Sequence, residues 1–229
     1  DTLLQPLRLV KSTHELAAMR EAGNLLRQIL DGARGLVQKG RKEFEIVADI
    51  DRLARDKGAE DIRILAGESR LNPPSFKQAA SVGSHWAIYL AVQHERYWAE
   101  AGRTLILSED AKITKASQRT QDIVAAMASQ LKPHGTVAAI DDTARRELGE
   151  FYGNASLYGL ANGIGLNQWE APFLNESDAR EVGAPSIDAT VLNEGMTLAL
   201  RVTLQAEGKL ILYGDSFEVT KGRAKSLIG

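Results

Sequence analysis

Apolar residues recur at helical spacing in two stretches near the start of the chain. The first stretch follows the helix-capping residues Ser12 and Thr13 and ends at Gly40, and the second runs from Glu43 to Lys57 and is closed by Gly58. The apolar positions of the first are Leu16, Met19, Ala22, Leu26, Ile29, Leu30 and Ala33. Spacings of three and four residues place these side chains on one face, so the pattern predicts two amphipathic helices.

Shorter segments rich in β-branched and aromatic residues follow these helices, and the same order then recurs. The first set predicts strands over Asp61–Ala66, His85–Gln93 and Arg96–Leu107. The second set predicts helices over Glu109–Leu131 and from Thr136 to about Phe151, a glycine-rich segment from Gly153 to Gly165, and strands over Met196–Gln205 and Lys209–Thr220. The order of helices followed by strands thus occurs twice, which predicts an α+β fold of two similar halves. No low-complexity linker separates the halves, so a single domain over residues 1–229 is predicted.

Composition and charge narrow the classes of function. Apolar residues make up 44% of the 229 residues, which is enough for a sizeable core, and the net charge is −2. No basic run or apolar span suggests a nucleic-acid or membrane partner, so neither is expected. The absence of cysteine excludes disulfides, thiolate metal sites and cysteine nucleophiles, and it agrees with a cytoplasmic location.

Four segments carry a recognisable set of motifs. The most informative is Asn-Gly-Ile-Gly-Leu-Asn-Gln-Trp-Glu-Ala-Pro, from Asn162 to Pro172. Tyr97–Thr104 contains Glu-Ala-Gly-Arg-Thr, Gly195 precedes Met196, and Asp215 lies shortly before Val-Thr. Over nearly the whole chain, these segments resemble the creatinase, prolidase and methionine aminopeptidase superfamily, which is peptidase M24-like. They occur in the same order and at the same spacing as the motifs of that superfamily.

The resemblance implies a pita-bread fold, in which helices pack on one face of a curved, mostly antiparallel sheet. It is strongest to the C-terminal, catalytic domain of Xaa-Pro peptidases, so an N-terminal domain before residue 1 is an option. Relatives with that additional domain are often dimers. A homodimer is therefore one expected assembly, although the sequence does not fix the oligomeric state.

Active members of the superfamily hold two metal ions with two Asp, one His and two Glu side chains. By resemblance these five positions fall on Tyr89, Glu100, Asn162, Arg201 and Gly214. Glu100 alone is a plausible ligand, and Arg201 puts a permanent positive charge where a cation would lie. The resemblance therefore implies no metal and no other cofactor, and an active metallopeptidase is not expected.

The same positions indicate what occupies the altered site. Since a buried charge must be paired, Arg201 is predicted to contact Glu100 directly, with Asp215 as a further candidate partner. The alternative is a polar pocket for an anionic ligand. The ligand-binding residues predicted on these grounds are Tyr89, Glu100, Asn162, Trp169, Glu170, Arg201 and Asp215.

Catalytic residues are less well indicated. Glu170 is a candidate general acid or base if an apolar setting raises its pKa, and Glu100 is a second candidate. Trp169 stands where the superfamily has a histidine beside Glu170, so it is either core filler or part of a pocket wall. The four histidines of the chain have no metal-ligand spacing, and no Gly-x-Ser-x-Gly elbow is present.

Three functions stay open at this point. The first is a pseudoenzyme that binds a peptide, a small molecule or a protein partner without hydrolysis. The second is an enzyme with metal-independent chemistry in the same pocket, and the third is a metallopeptidase of the Xaa-Pro type. A roomy cavity open to solvent around Glu170 and Tyr89 favours chemistry, whereas a cavity plugged by Trp169 and Arg201 favours a binding or structural role.

Overall fold

The four predicted helices are present with ends close to the predicted ones, and the described residues contain two further short helices that were not predicted. The computed structural model of the protein describes residues 5–73, 75, 80–155, 159–174 and 190–229. Its helices are α1 Gln5–Leu9, α2 Thr13–Leu36, α3 Glu43–Asp56, α4 Ala111–Ala128, α5 Val137–Leu148 and α6 Tyr152–Ala155, with a 3₁₀ turn over Gly149–Phe151. Among the described residues, no helix combines the length and apolar character needed to cross a membrane.

Local hydrogen bonds fix the helix starts. Ser12 accepts a bond from the Glu15 amide at 3.3 Å, and the Glu15 carboxylate accepts one from the Ser12 amide at 2.8 Å. This reciprocal capping box satisfies two amides at the start of α2 that have no partner within the helix. Asp110 caps α4 and Thr136 caps α5 through similar side-chain bonds. The short polar residues before each apolar pattern therefore set where each helix begins.

In the part of the chain that the structure describes, eight strands form one sheet in which each pairing is antiparallel. They are β1 Asp61–Gly67, β2 His85–His94, β3 Tyr97–Ile106, β4 Ala161–Gly163, β5 Glu170–Phe173, β6 Thr197–Ala206, β7 Lys209–Glu218 and β8 Lys225–Ser226. The order is β1-β2-β3-β7-β6-β4-β5, and β8 pairs with β7 at the side. Strands β4 and β5 were not predicted, because three or four residues beside glycine give no readable alternation and form a strand only when a neighbour supplies the ladder.

The two predicted halves are visible in how the helices cover the sheet. Helices α2 and α3 pack on β1, β2 and β3, and α4 and α5 pack on the half that contains β4 and β6. The fully buried side chains Ile29, Ile50 and Ile88 lie in the first core, and Met127 and Ile140 lie in the second. The opposite face of the sheet is not covered by these helices and is therefore available for a functional site.

The halves join where two glycines face each other. Gly102 of β3 is opposite Gly214 of β7, and Gly214 is opposite Arg201 of β6. A Cβ added to Gly214 would lie 2.8 Å from the Arg201 Cβ and 3.0 Å from the Leu200 carbonyl oxygen. Such contacts are shorter than real packing allows, so the lack of a side chain at residue 214 makes room for the side chain at residue 201.

We expect Gly214→Ala to lower the free energy of unfolding by about 1–3 kcal/mol, because the new methyl group overpacks against Arg201. Urea denaturation monitored by circular dichroism measures this change. Gly222→Ala is the matched control, since a Cβ at Gly222 meets no atom within 4 Å. Equal stabilities for the two variants would show that the junction tolerates a side chain.

Candidate functional site

A single row of residues across the sheet brings the site together. The register places Leu65 opposite Tyr89, Tyr89 opposite Gly102, Gly102 opposite Gly214 and Gly214 opposite Arg201. Paired residues project to the same face, so Tyr89 and Arg201 share the face not covered by the helices. Glu100 lies two residues before Gly102 on β3 and therefore points to that face as well.

Arg201 and Glu100 form a buried ion pair. Arg201 Nη1 contacts Glu100 Oε1, and the two side chains are 8% and 4% exposed. The predicted direct contact between them is confirmed. The second carboxylate oxygen, Oε2, accepts a hydrogen bond from the Tyr89 hydroxyl at 2.6 Å. Both oxygens of Glu100 are therefore engaged by protein donors.

The rest of the guanidinium is held by amide and carbonyl oxygens. Arg201 Nη2 donates to Asn162 Oδ1, and Nε donates to the Gly159 carbonyl at 3.0 Å. The Asn162 amide nitrogen in turn donates to the Gly163 carbonyl at 2.8 Å and to the Gln168 carbonyl at 3.2 Å. This chain of bonds fixes the orientation of Asn162 and so directs its Oδ1 to the Arg201 guanidinium.

Tyr89 is held in its neutral form. Burial, with the neighbouring Glu100 charge acting in the same direction, raises the pKa of the phenol well above its usual range. Tyr89 therefore stays protonated at neutral pH and donates a hydrogen bond to Glu100. The Gln168 amide donates to the phenol oxygen from the other side. The result is a continuous polar network from Gln168 through Tyr89 and Glu100 to Arg201 and Asn162.

These residues do not fit the pair of metal ions that the resemblance gives to active members of the superfamily. The five positions supply a phenol, a carboxylate, an amide, a guanidinium and a glycine. Both oxygens of the single carboxylate, Glu100, are engaged, and the Arg201 guanidinium would repel a cation. Within the described ranges, no three His, Cys, Asp or Glu side chains come together as a metal site.

A cavity of about 550 Å³ lies over this network. Its walls are formed by Arg63, Leu65, Leu71, Tyr89, Trp98, Glu100, Asn167, Gln168, Trp169, Arg201 and Leu212. Trp169 is 55% exposed and Arg63 is also exposed, so the cavity opens to solvent. Trp169 forms part of the wall and meets Phe173 edge-on with ring centroids 6.2 Å apart. It is neither core filler nor a plug.

Glu170, the stronger candidate for a catalytic residue, lies outside this cavity. Its Oε1 accepts a bond from Lys11 Nζ at 2.6 Å, and the two side chains are 7% and 3% exposed. Burial lowers the pKa of the Lys11 ammonium, although the Glu170 carboxylate opposes that shift. The placement of Glu170 in the pocket was therefore wrong, because its carboxylate pairs with the buried Lys11 ammonium while the neighbouring Trp169 lines the cavity.

Asp215 was also wrongly placed in the pocket. It follows Gly214 on β7 and is opposite Leu200 on β6, so its side chain projects to the helix-covered face. There it lies 3.9 Å from Arg103 Nη2 and accepts a bond from the Ser226 hydroxyl at 2.9 Å. Burial raises the pKa of Asp215 to about 6, and Arg103 and Ser226 only partly oppose that shift.

Of the predicted ligand-binding residues, the structure thus brings five together: Tyr89, Glu100, Asn162, Trp169 and Arg201. Their role in binding a ligand stays a prediction. Arg63, Trp98 and Gln168 on the cavity wall were not predicted from the sequence. The one available signal was Arg63 itself, a charged residue between Ile62 and Ile64 in a predicted strand.

Comparison with known proteins shows which family and which relatives this chain is similar to. The sequence model of metallopeptidase family M24 matches residues 17–221. The Xaa-Pro dipeptidase of Pyrococcus furiosus is 24% identical over 237 residues, which cover 99% of this chain and 65% of that protein. An uncharacterised peptidase of Methanocaldococcus jannaschii is 20% identical, over 98% of this chain and 65% of its own length. The chain thus spans just under two thirds of these relatives.

Solved structures agree with the sequence comparison. The prolidase from Pyrococcus furiosus superimposes with a TM-score of 0.85 at 22% identity, over 100% of this chain and 68% of that one. The methionine aminopeptidase from Thermotoga maritima gives a TM-score of 0.74 at 16% identity, over 96% of this chain and 98% of that one. At these identities the likeness shows the fold, and the predicted pita-bread fold is confirmed.

We expect Arg201→Ala to lower the free energy of unfolding by about 3–5 kcal/mol, because it leaves the Glu100 carboxylate buried without its counter-charge. Replacing both residues by alanine should cost much less than the two single changes added together. A double-mutant cycle by urea denaturation measures this coupling.

The surface pair of Arg52 and Asp49, with side chains 71% and 25% exposed, provides the control. Arg52→Ala should cost at most about 1 kcal/mol because solvent screens the pair. Additive single and double changes at Arg201 and Glu100 would contradict the account of a coupled, buried pair.

Stability should also depend on pH through Asp215. Its pKa in the folded state, about 6, lies above the ordinary value of 3.8, so the folded state holds this proton more tightly than the unfolded state. The resulting stabilisation is complete at acid pH and is lost as pH rises through about 6. Relative to Asp215→Asn, the wild type should therefore lose about 2–4 kcal/mol between pH 4 and 7.

Chemical denaturation at each pH value measures this difference. Asp31→Asn is the control, because the Asp31 side chain is 56% exposed and its substitution changes the formal charge in the same way. A stability difference between wild type and Asp215→Asn that does not change with pH would contradict the raised pKa.

Proposed function

The chain belongs to metallopeptidase family M24, as the resemblance indicated, and we propose that it acts as a metal-independent ligand-binding protein of that family. In this proposal it binds a peptide or a small molecule in the cavity without hydrolysing it. The observation that carries the proposal is the buried ion pair of Arg201 and Glu100, at the positions that the resemblance gives to metal ligands.

The energetics of that pair support the loss of metal binding. A metal ion at this place would have to displace Arg201 from Glu100, Asn162 and the Gly159 carbonyl. Breaking a buried ion pair costs about 3–5 kcal/mol, before any repulsion between the two cations is counted. A carboxylate at residue 214 could not replace the lost ligand, because even a Cβ there overlaps with Arg201.

Hydrolysis also lacks a nucleophile in this arrangement. Metallopeptidases generate a reactive hydroxide by lowering the pKa of a metal-bound water. Here Tyr89 stays protonated and donates a hydrogen bond to Glu100, and the charge of Glu100 is balanced by Arg201. Neither group is available as a strong base, and Glu170 is paired with Lys11 outside the cavity.

The cavity supports binding in preference to a purely structural role. Its volume of about 550 Å³ lies in the range of small-molecule pockets, about 300–1,000 Å³. Leucine and aromatic side chains form much of its wall, and a few polar groups are placed among them. This is the usual composition of a ligand site, in which apolar walls supply affinity and fixed polar groups supply orientation.

An enzyme with metal-independent chemistry is the second candidate. The open cavity favours it, because Tyr89 and Glu100 lie together on the wall within reach of a bound molecule. The names of the relatives suggest a third activity, that of an Xaa-Pro dipeptidase, for which the donor set offers no support. A cytoplasmic location and a homodimer stay predictions.

We expect the purified protein to contain no stoichiometric Mn, Co, Zn or Fe and to show no hydrolysis of Xaa-Pro dipeptides with added Mn²⁺ or Co²⁺. Elemental analysis and a ninhydrin assay for released proline measure the two outcomes. The Pyrococcus furiosus Xaa-Pro dipeptidase serves as the positive control.

Glu100→Gln tests any signal that does appear. One or two metal ions per chain, or proline release that is lost in Glu100→Gln, would overturn the proposal and favour a metallopeptidase. Metal-free turnover of another substrate that is lost in the same variant would favour the second candidate.

A further inference from the structure

Among the described residues of the cavity wall, Arg63 is a cation that forms no ion pair with a carboxylate. It lies on β1, its side chain is exposed, and its guanidinium carbon is 5.6 Å from the centroid of the Trp98 ring. Within the described part of the chain, Arg63 makes no ion pair or hydrogen bond. The nearest acid on the same face of β1 is Asp61, which is 3.4 Å from Arg55 Nη2.

The carboxylate inside the cavity does not balance Arg63 either. The register places Arg63 opposite Ala91 and Ala91 opposite Glu100, so two strand spacings, about 10 Å, separate the two backbones. Both Glu100 oxygens are already engaged, by Arg201 and by Tyr89. Among the described wall residues, the formal charge is therefore one positive unit.

The surroundings of Arg63 define what an anion there would need. The guanidinium lies on the face of Trp98, and Trp169, Leu65, Leu71 and Leu212 form apolar wall in the same cavity. Because Arg63 makes no hydrogen bond within the described residues, its N–H groups can bind a carboxylate with two parallel hydrogen bonds. One unmatched positive charge suits one negative charge, which favours a carboxylate over a phosphate dianion.

We propose that the cavity binds a small monocarboxylate with an apolar or aromatic body and without a free amino group, its carboxylate on Arg63 and its body along Trp98 and Trp169. This inference rests on the proposed ligand-binding function and narrows the ligand class. An ammonium group is disfavoured because Glu100, the acid on the described wall, is already paired. A free dipeptide should therefore bind more weakly than an N-acylated one.

The test is isothermal titration calorimetry with three probes of matched shape: 3-phenylpropionate, 3-phenylpropanamide and 3-phenylpropylamine. The carboxylate should bind about tenfold or more tightly than the amide, and the amine should bind weakest. Arg63→Gln should remove the preference for the carboxylate over the amide. Since Arg63 is exposed, this variant should keep the wild-type circular dichroism spectrum, and Arg52→Ala, an exposed arginine on α3, should keep wild-type affinity.

Each result of these binding measurements either supports or overturns the inference. Equal affinities for carboxylate and amide, no binding by the carboxylate, or an unchanged preference in Arg63→Gln would overturn the inference. Tighter binding of N-acetyl-leucylproline than of leucylproline would support the exclusion of an amine, and the reverse order would contradict it. Failure of the proposed function is separate, since it would appear as bound metal or released proline, which the titration does not measure.

Discussion

The buried ion pair between Arg201 and Glu100 connects the two halves of the sheet. Glu100 lies on β3 in the first half and Arg201 on β6 in the second, with β7 between them. The pair can form across β7 because Gly214 presents no side chain there. Glycine at residue 214 and arginine at residue 201 are therefore parts of one structural change, in which a guanidinium takes the place expected for metal ions.

That change sets the electrostatics of the whole cavity. Once Glu100 is committed to Arg201 and Tyr89, the cavity holds no free carboxylate on its described wall, and Arg63 carries the unmatched charge. The polar network is satisfied internally, so it can be buried at little cost without a ligand. The volume above it remains open because Trp169 lies along the wall. In the proposed account, a guanidinium lies at the positions that the resemblance gives to metal ligands, and the cavity beside it suits an anion.

Much of the fold could be predicted from the sequence, and for identifiable reasons. The long amphipathic patterns predicted helices α2 to α5, and the runs rich in β-branched residues predicted the five long strands. Strands β4 and β5 were not predicted because each is too short to show an alternation of apolar and polar residues. The Arg201–Glu100 contact was predictable because burial leaves a charged pair few alternatives.

The site errors have one common cause. Glu170 and Asp215 each adjoin a residue on the side of the site, Trp169 and Gly214. Their own carboxylates have other partners, which are Lys11 for Glu170 and Arg103 with Ser226 for Asp215. The order of residues in a motif does not by itself show the direction in which each side chain points. Arg63 was missed for a different reason, since an exposed arginine is ordinary until Trp98 and the cavity are placed beside it.

The most direct test is anomalous diffraction from crystals soaked in Mn²⁺, with data collected near the manganese absorption edge. The account predicts no anomalous density beside Glu100, with the Arg201 guanidinium still on its carboxylate. A manganese peak within coordination distance of Glu100, with Arg201 displaced from it, would contradict the central claim.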